Sequence, residues 1–367
     1  MSSRPTPISR ANAKKYFEAA EYWEFEKCLG RGSFGMAVLL REKKRFVQRS
    51  RRMAVKVALA RGREQLENEI KWLKVLRGGK HIVKMLASCR NLATSNEATE
   101  RMERYMELLE VTIPQHSKLQ RLPPSSAFVG LAGMQGPAMA LEYIEGRSLL
   151  DFKEKVDRFG MRIPNRVLWS FFLCLIRACI GLAYPLGRPE GAPSILETIP
   201  SDGREVRNIA HHDIAPRNIM LGRGDSTEEH ATERVLKLID FGATRELERG
   251  DGPAPAKNLF EVADSIAMLI RGLTFDYTIA NYKGHDTRAG PILRNSTSDP
   301  FPGVDADLRD LIARCMYVSP SHRPSLQEAL EHAQRAVLTR LPDSFPSPAL
   351  ETDGSIREFW QRLHYDA

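Results

Sequence analysis

The sequence predicts a mixed α+β fold in two lobes with a cleft between them. Three observations carry that reading. Residues 24–84 hold short β-like runs around a single helical segment, REQLENEIKWLKVL (63–76), whose apolar positions recur at helical spacing. From 258 to about 340 helical stretches dominate. Between these parts, NIML (218–221) and LKLIDFG (236–242) have the pattern of a small hairpin.

Taken in order, residues 1–20 are a polar lead-in. A main domain is expected over 21–340, with a front lobe at about 21–144 and a back lobe at about 145–340. Serine, threonine, proline and glycine clusters mark 91–136 as an insertion. Within it, EATERMERYMELLE (97–110) places Met102, Tyr105, Met106 and Leu109 on one helical face. PAMALEYIE (137–145) reads as a strand, followed by helix to Leu186 and a proline- and glycine-rich excursion at 187–207. A polar loop (222–234) interrupts the later hairpin, and a proline-rich tail occupies 341–367.

The chain has 367 residues, enough for a large core. Its formal net charge of +8 favours acidic partners such as nucleotide phosphates but does not bear on fold. The five cysteines have no paired or metal-type spacing, which suits a reducing, intracellular setting, cytoplasmic or nuclear. The N-terminal stretch lacks the apolar region of a secretory signal. Arg177 interrupts the most apolar run, 167–184, and prolines 164 and 185 bound it. A buried helix therefore explains it better than a membrane span. The basic hairpin 41–52 lacks the interleaved aromatics of a nucleic-acid binder, so a solvated turn is the favoured reading and nucleic acid is not an expected partner.

Three groups of residues suggest chemistry. In LGRGSFGMAV (29–38), Gly30, Gly32 and Gly35 fit a loop where backbone amides approach phosphates without a Cβ in the way. A dinucleotide fingerprint would run into a helix, whereas this loop runs into AVLL and a basic hairpin. In MAVKV (53–57), Lys56 alternates with apolar neighbours, and the face it takes depends on strand pairing. Glu69 follows thirteen residues later on a helix whose Leu73 and Leu76 mark the inward side. A lysine held by a glutamate can fix an ammonium on a nucleotide's phosphates. The third group is AHHDIAPRNIML (210–221) with IDFG (239–242).

With these pieces in order, the chain resembles the protein kinase family over residues 25 to about 335. LGRGSFG resembles its glycine-rich loop, AVK its strand lysine beside Ala54, and LEYIEG its adenine-receiving hinge. HHDIAPRN resembles its catalytic loop, IDFG its metal-binding signature, and RCMYVSPSHRPSLQEAL (314–330) its C-terminal helical motif. The resemblance implies a two-lobed kinase-like fold, ATP and Mg²⁺ as cofactors, and a protein substrate. It implies that Asp213 orients the acceptor hydroxyl and that Asn218 and Asp240 hold the metal. The backbone of Glu142 and Ile144 would receive adenine, beside Leu141 in the gatekeeper position.

The departures sharpen the expectation. His212 stands where many kinases have an arginine that meets a phosphorylated loop, and 243–257 contains one hydroxyl residue, Thr244. Control by loop phosphorylation is therefore not expected. Ala215 removes the usual lysine, and Arg217 offers a guanidinium in its place. Only 18 positions separate Asp240 from Asn258, which takes the place of an anchoring aspartate, and no A-P-E motif follows to pair with Arg323. The expected function is phosphotransfer from ATP to a protein hydroxyl, serine or threonine before tyrosine. The alternatives are a small-molecule kinase of related fold and a nucleotide-binding scaffold without turnover.

Overall fold

The computed structural model describes residues 23–32, 35–43, 51–59, 61–89, 137–224, 228–230, 234–248, 250–273, 276–294 and 297–365. The lead-in 1–20, the insertion 91–136 with its expected helix, and residues 44–50 of the basic hairpin lie outside them. The described chain is a mixed α+β structure built on a five-stranded antiparallel sheet. Its strands are β1 (Trp23–Arg31), β2 (Gly35–Glu42), β3 (Arg52–Ala58), β4 (Met85–Cys89) and β5 (Ala138–Glu142), in the order β1-β2-β3-β5-β4.

Period-two alternation decides what each face carries. On β3, Met53, Val55 and Val57 are buried, while Ala54 and Lys56 share the opposite face. Pairing sets Lys56 beside Ala37 of β2 and Met139 of β5, so the lysine stands in mid-sheet. Helix α1 (Arg63–Val75) follows β3, with Glu64 in its first turn and Lys74 in its last, each suited to the helix dipole. Its buried stripe of Leu66, Ile70, Trp72 and Leu73 also contains Glu69. A carboxylate in an apolar stripe is tolerable only with a partner, and the partner comes from β3.

Beyond β5, helix α2 (Leu149–Arg158) starts at a capping box in which Ser148 and Asp151 satisfy each other's backbone amides. Helix α3 (Asn165–Ala183) is the apolar run of the sequence. It is long and apolar enough to cross a membrane, but 94% of that window is buried inside the protein. Arg177 on α3 is compensated by the Glu197 carbonyl at 2.6 Å and the Glu229 carboxylate at 2.5 Å. The two short strands β6 (Ile209–Ala210) and β9 (Arg245–Glu246) pair with each other. So do β7 (Ile219–Arg223) and β8 (Arg234–Leu238), which form the expected hairpin.

Helices α4 (Ala254–Arg271), α5 (Ala306–Cys315) and α6 (Leu326–Thr339) complete the helical side, with a small hairpin of β10 (Ala280–Tyr282) and β11 (His285–Thr287) after α4. Helix α3 packs against α4, α6 and β8. The segment set apart in the sequence as a tail carries α7 (Asp353–Tyr365), and Phe345, Ile356 and Phe359 join the main core. Phe359 and Trp360 meet Phe152 of α2 at ring-centroid distances of 6.2 and 5.6 Å.

Glu351 ties this segment to the core helix. Its carboxylate is buried and accepts the backbone N–H of Asn165 at 2.8 Å and of Arg166 at 2.9 Å. These are the first amides of α3, which lack partners within the helix. The anion also lies at the positive end of the helix dipole. Replacing Glu351 with alanine is expected to lower the unfolding free energy by about 3 kcal/mol, because it strands two buried donors. Glu351→Gln should cost about 1 kcal/mol, since an oxygen remains to accept. Urea denaturation checks both, and two wild-type midpoints would refute the role.

Candidate functional site

Sheet, α1 and the end of β8 converge on one ammonium. Lys56 Nζ donates to Glu69 Oε2 at 2.6 Å and to Asp240 Oδ1 at 3.0 Å. Burial opposes the charge on Lys56, but the two carboxylates outweigh it and lift the ammonium above its ordinary value. Burial pushes Glu69 up to about 7 against the pull of Lys56. Asp240, where burial also resists ionisation, is held below its ordinary value by Lys56.

Asp240 reaches this position through a left-handed backbone, with φ of 63°. A non-glycine residue there is strained by about 1–3 kcal/mol, which the surroundings must offset. Phe241, fully buried, anchors the turn and meets the His211 ring edge-on at 4.8 Å. Asn68 of α1 adds a clasp, its Nδ2 donating to the carbonyls of Gly242 and Thr244 at 2.9 Å each. Asn68 escaped the sequence reading, because one polar residue beside Glu69 on a helix carries no motif.

The loop of residues 211–218 lies beside this cluster. Asn218 Nδ2 donates to the Asp213 carbonyl at 2.9 Å and to Asp213 Oδ2 at 2.8 Å. Arg217 forms an ion pair with the other Asp213 oxygen, so the carboxylate is held on both sides. The Asn218 carbonyl accepts the Ile239 N–H at 2.9 Å, which ties this loop to the residue preceding Asp240.

His211 is the hidden brace. It is fully buried, its Nδ1 accepts the Asp213 N–H at 3.2 Å, and its Nε2 lies 3.2 Å from the Ile239 carbonyl. Both contacts are met by the neutral ring protonated at Nε2. Burial accordingly lowers its pKa to about 4. Asn258 of α4 also braces the loop. Its Oδ1 accepts the His211 N–H at 3.1 Å and its Nδ2 donates to the Ile209 carbonyl at 2.9 Å. Glu261, one turn on, accepts the Ile214 N–H at 3.2 Å.

His212 and Arg323 each have local partners. His212 Nε2 accepts from Arg245 Nε at 2.9 Å, in a left-handed conformation of φ 67°. Arg323 donates to the carbonyls of Tyr317, Ala256 and Val318 and lies 4.8 Å from the Phe260 ring centroid.

On the sheet side, a Cβ built on Gly30 or Gly32 meets nothing within 4 Å, so packing does not require these glycines. At Gly35 it would lie 3.1 Å from the Val57 carbonyl and 3.6 Å from Lys56 Cε. Ala54 shares the Lys56 face of β3. The Glu142 N–H is committed to the Lys84 carbonyl at 2.9 Å, so a ligand would have to use the Glu142 carbonyl. The Glu142 side chain accepts from Lys237 at 2.6 Å, and Ile144 is buried in the core. A cavity of about 550 Å³ opens next to Asp213, between residues 212–217 and α4, and Arg217, Lys257, Arg323, Glu261 and Asp264 are among the residues that line it.

No protein-family model matches the chain, and no curated protein matches it.

The His211 environment predicts an acid weakness. The unfolded histidine takes a proton near 6.5, whereas the folded one resists until about 4. Between these values the unfolded state binds more protons, so this stability is full above 6.5 and is lost as pH falls. From pH 7 to 5 the loss is about 2 kcal/mol for this group alone. Urea denaturation at both pH values should show His211→Gln losing about 2 kcal/mol less than the wild type over that interval. Equal losses would mean that His211 is not the sensor.

Proposed function

We propose that the chain is an ATP- and Mg²⁺-dependent phosphotransferase of protein kinase-like, two-lobed fold, with a protein hydroxyl as acceptor. The observation that carries this reading is Lys56 within 3.0 Å of both Glu69 and Asp240, residues from separate elements and, for Asp240, 184 positions away. The antiparallel sheet with α1 between β3 and β4, followed by a helical remainder, supports the two-lobed arrangement.

The residues fit the cofactors they would hold. Asp240 offers a carboxylate and Asn218 an amide oxygen, both hard donors of the kind Mg²⁺ prefers. Asn218 spends its Nδ2 on Asp213, which turns its Oδ1 the other way. The metal, when bound, would neutralise charge on the transferred phosphoryl group. Lys56, positioned by Glu69, would bind the α- and β-phosphates. Open space over Gly30 and Gly32 supports a close approach of phosphate to the strand turn. Asp213 would accept the acceptor's hydroxyl proton, with Arg217 supplying positive charge beside the transferred group.

The His212–Arg245 hydrogen bond supports an active arrangement without a switch. It joins the loop to the segment after Asp240 with no phosphate involved. A second reading, with a small-molecule hydroxyl as acceptor, is favoured by the 550 Å³ cavity beside Asp213, a volume typical of small-ligand sites.

Transfer of labelled γ-phosphate should appear when the full chain is incubated with ATP, Mg²⁺ and a protein extract. Asp213→Asn should reduce it by about 10²–10⁴-fold while ATP still binds. Asp240→Asn should remove the Mg²⁺ dependence of nucleotide binding. Label on metabolites but not on proteins would select the small-molecule reading. ATP binding with no transfer to either would sink the proposal in favour of a nucleotide-binding scaffold.

A further inference from the structure

Behind the β7–β8 hairpin, four residues without a part in phosphate chemistry converge: His81, Cys174, Glu197 and His230. Each is 1% exposed or less. They come from the connection between α1 and β4, from α3, from the 187–207 excursion and from the 228–230 turn. The donor atoms of His81, Cys174 and His230 all lie within 4.8 Å of one another.

Glu197 shows that the arrangement is built rather than incidental. Its Oε1 accepts the His81 backbone N–H at 2.8 Å, and its Oε2 lies 2.7 Å from His81 Nδ1. Two glycines make room for it: a Cβ on Gly79 would come within 2.5 Å of Oε1, and one on Gly181 within 3.1 Å of Cγ. The carboxylate accepts the proton of His81 Nδ1 and turns Nε2 inward. There it lies 3.1 Å from His230 Nε2. A carboxylate behind a histidine is the usual outer partner of a metal-bound imidazole.

The spacing agrees with a small tetrahedral ion. With Zn–N bonds of about 2.0–2.1 Å, two nitrogen ligands stand about 3.3 Å apart. Cys174, His81 and Glu197 have the composition of a nucleophile, a base and an orienting acid. At this depth, however, no substrate reaches the sulfur.

We propose that His81, Cys174 and His230 bind a Zn²⁺ ion, with Glu197 orienting His81. One thiolate and two imidazoles suit zinc, and the fourth corner of the tetrahedron falls to a water molecule. The ion ties three distant segments together. The site also borders the residues around Lys56, because the His81 carbonyl accepts the Leu238 N–H at 2.8 Å and β8 runs on to Asp240.

Metal analysis of the full chain, expressed with zinc supplementation, should find about one zinc per chain. Cys174→Ser and His230→Gln should each lose most of it while circular dichroism stays that of the folded protein. Should either variant fail to fold, Co²⁺ exchanged into the wild type gives an independent readout, a thiolate-to-cobalt charge-transfer band with tetrahedral d–d absorption. Folded wild type free of zinc and lacking the cobalt band would overturn the proposal, leaving a metal-free hydrogen-bonded cluster. Zinc held equally by wild type and folded Cys174→Ser would overturn it as adventitious. Stoichiometric copper would overturn the choice of zinc. Both measurements are independent of phosphotransfer, so either proposal can fail alone.

Discussion

The structure depends on one half-buried ammonium. Lys56 projects from mid-sheet, Glu69 from the apolar stripe of α1, and Asp240 from a strained turn at the end of β8. None of the three is well placed alone. A carboxylate at 2% exposure without a cation would cost several kcal/mol, and a lysine in mid-sheet faces the same penalty. Together they convert three liabilities into a joint between the sheet, the helix and the turn. Asn68 and Phe241 fasten the same joint with neutral contacts, so its geometry does not depend on charge alone.

The loop carrying Asp213 is braced by a different kind of chemistry. His211 is kept neutral by burial and by a donor aimed at its Nδ1, and Asn258 holds the two ends of the short β6 connection with an amide. A charged brace would give stronger hydrogen bonds but would put another anion near Asp213 and Asp240. The neutral pair gives up bond strength and adds no further anion to the Glu261 carboxylate that already accepts the Ile214 N–H. Arg245 on His212 and the carbonyl partners of Arg323 follow the same economy, in which each cation finds a local acceptor.

Much of this was legible in the sequence where a pattern was local. The helix at 63–76 followed from its period to within one residue, and the hairpin of NIML with LKLIDFG was found in place, although its second strand ends at Leu238, four residues before the end of that motif. Lys56, Glu69, Asp213, Asn218 and Asp240 stood out through ordered motifs, although spacing gave no distance between them. Single polar residues that meet across the fold left no trace. His81, Cys174, Glu197 and His230 have no shared spacing, and the cysteine reads as one apolar position in an apolar helix. Glu351 lies in a proline-rich stretch that looks peripheral, yet it caps a helix whose first residue is 186 positions earlier. Convergence of this kind is set by tertiary packing, which periodicity does not encode.

The same joints bear on how the site would respond to its ligand. Two carboxylates of the site are held by cations, Asp240 by Lys56 and Asp213 by Arg217. A triphosphate, with more negative oxygens than either carboxylate, competes for those same cations. On the proposed reading, a phosphate oxygen bound by Lys56 weakens the lysine's hold on Asp240, and one bound by Arg217 weakens the arginine's hold on Asp213. Glu69 is exempt, because it is buried behind the lysine and keeps the ammonium in place as the partner on the open side changes. The ligand would thereby release the two groups its own chemistry needs, one for a metal and one for a hydroxyl. On that reading, the strength of these ion pairs sets the threshold a ligand must exceed to engage the site.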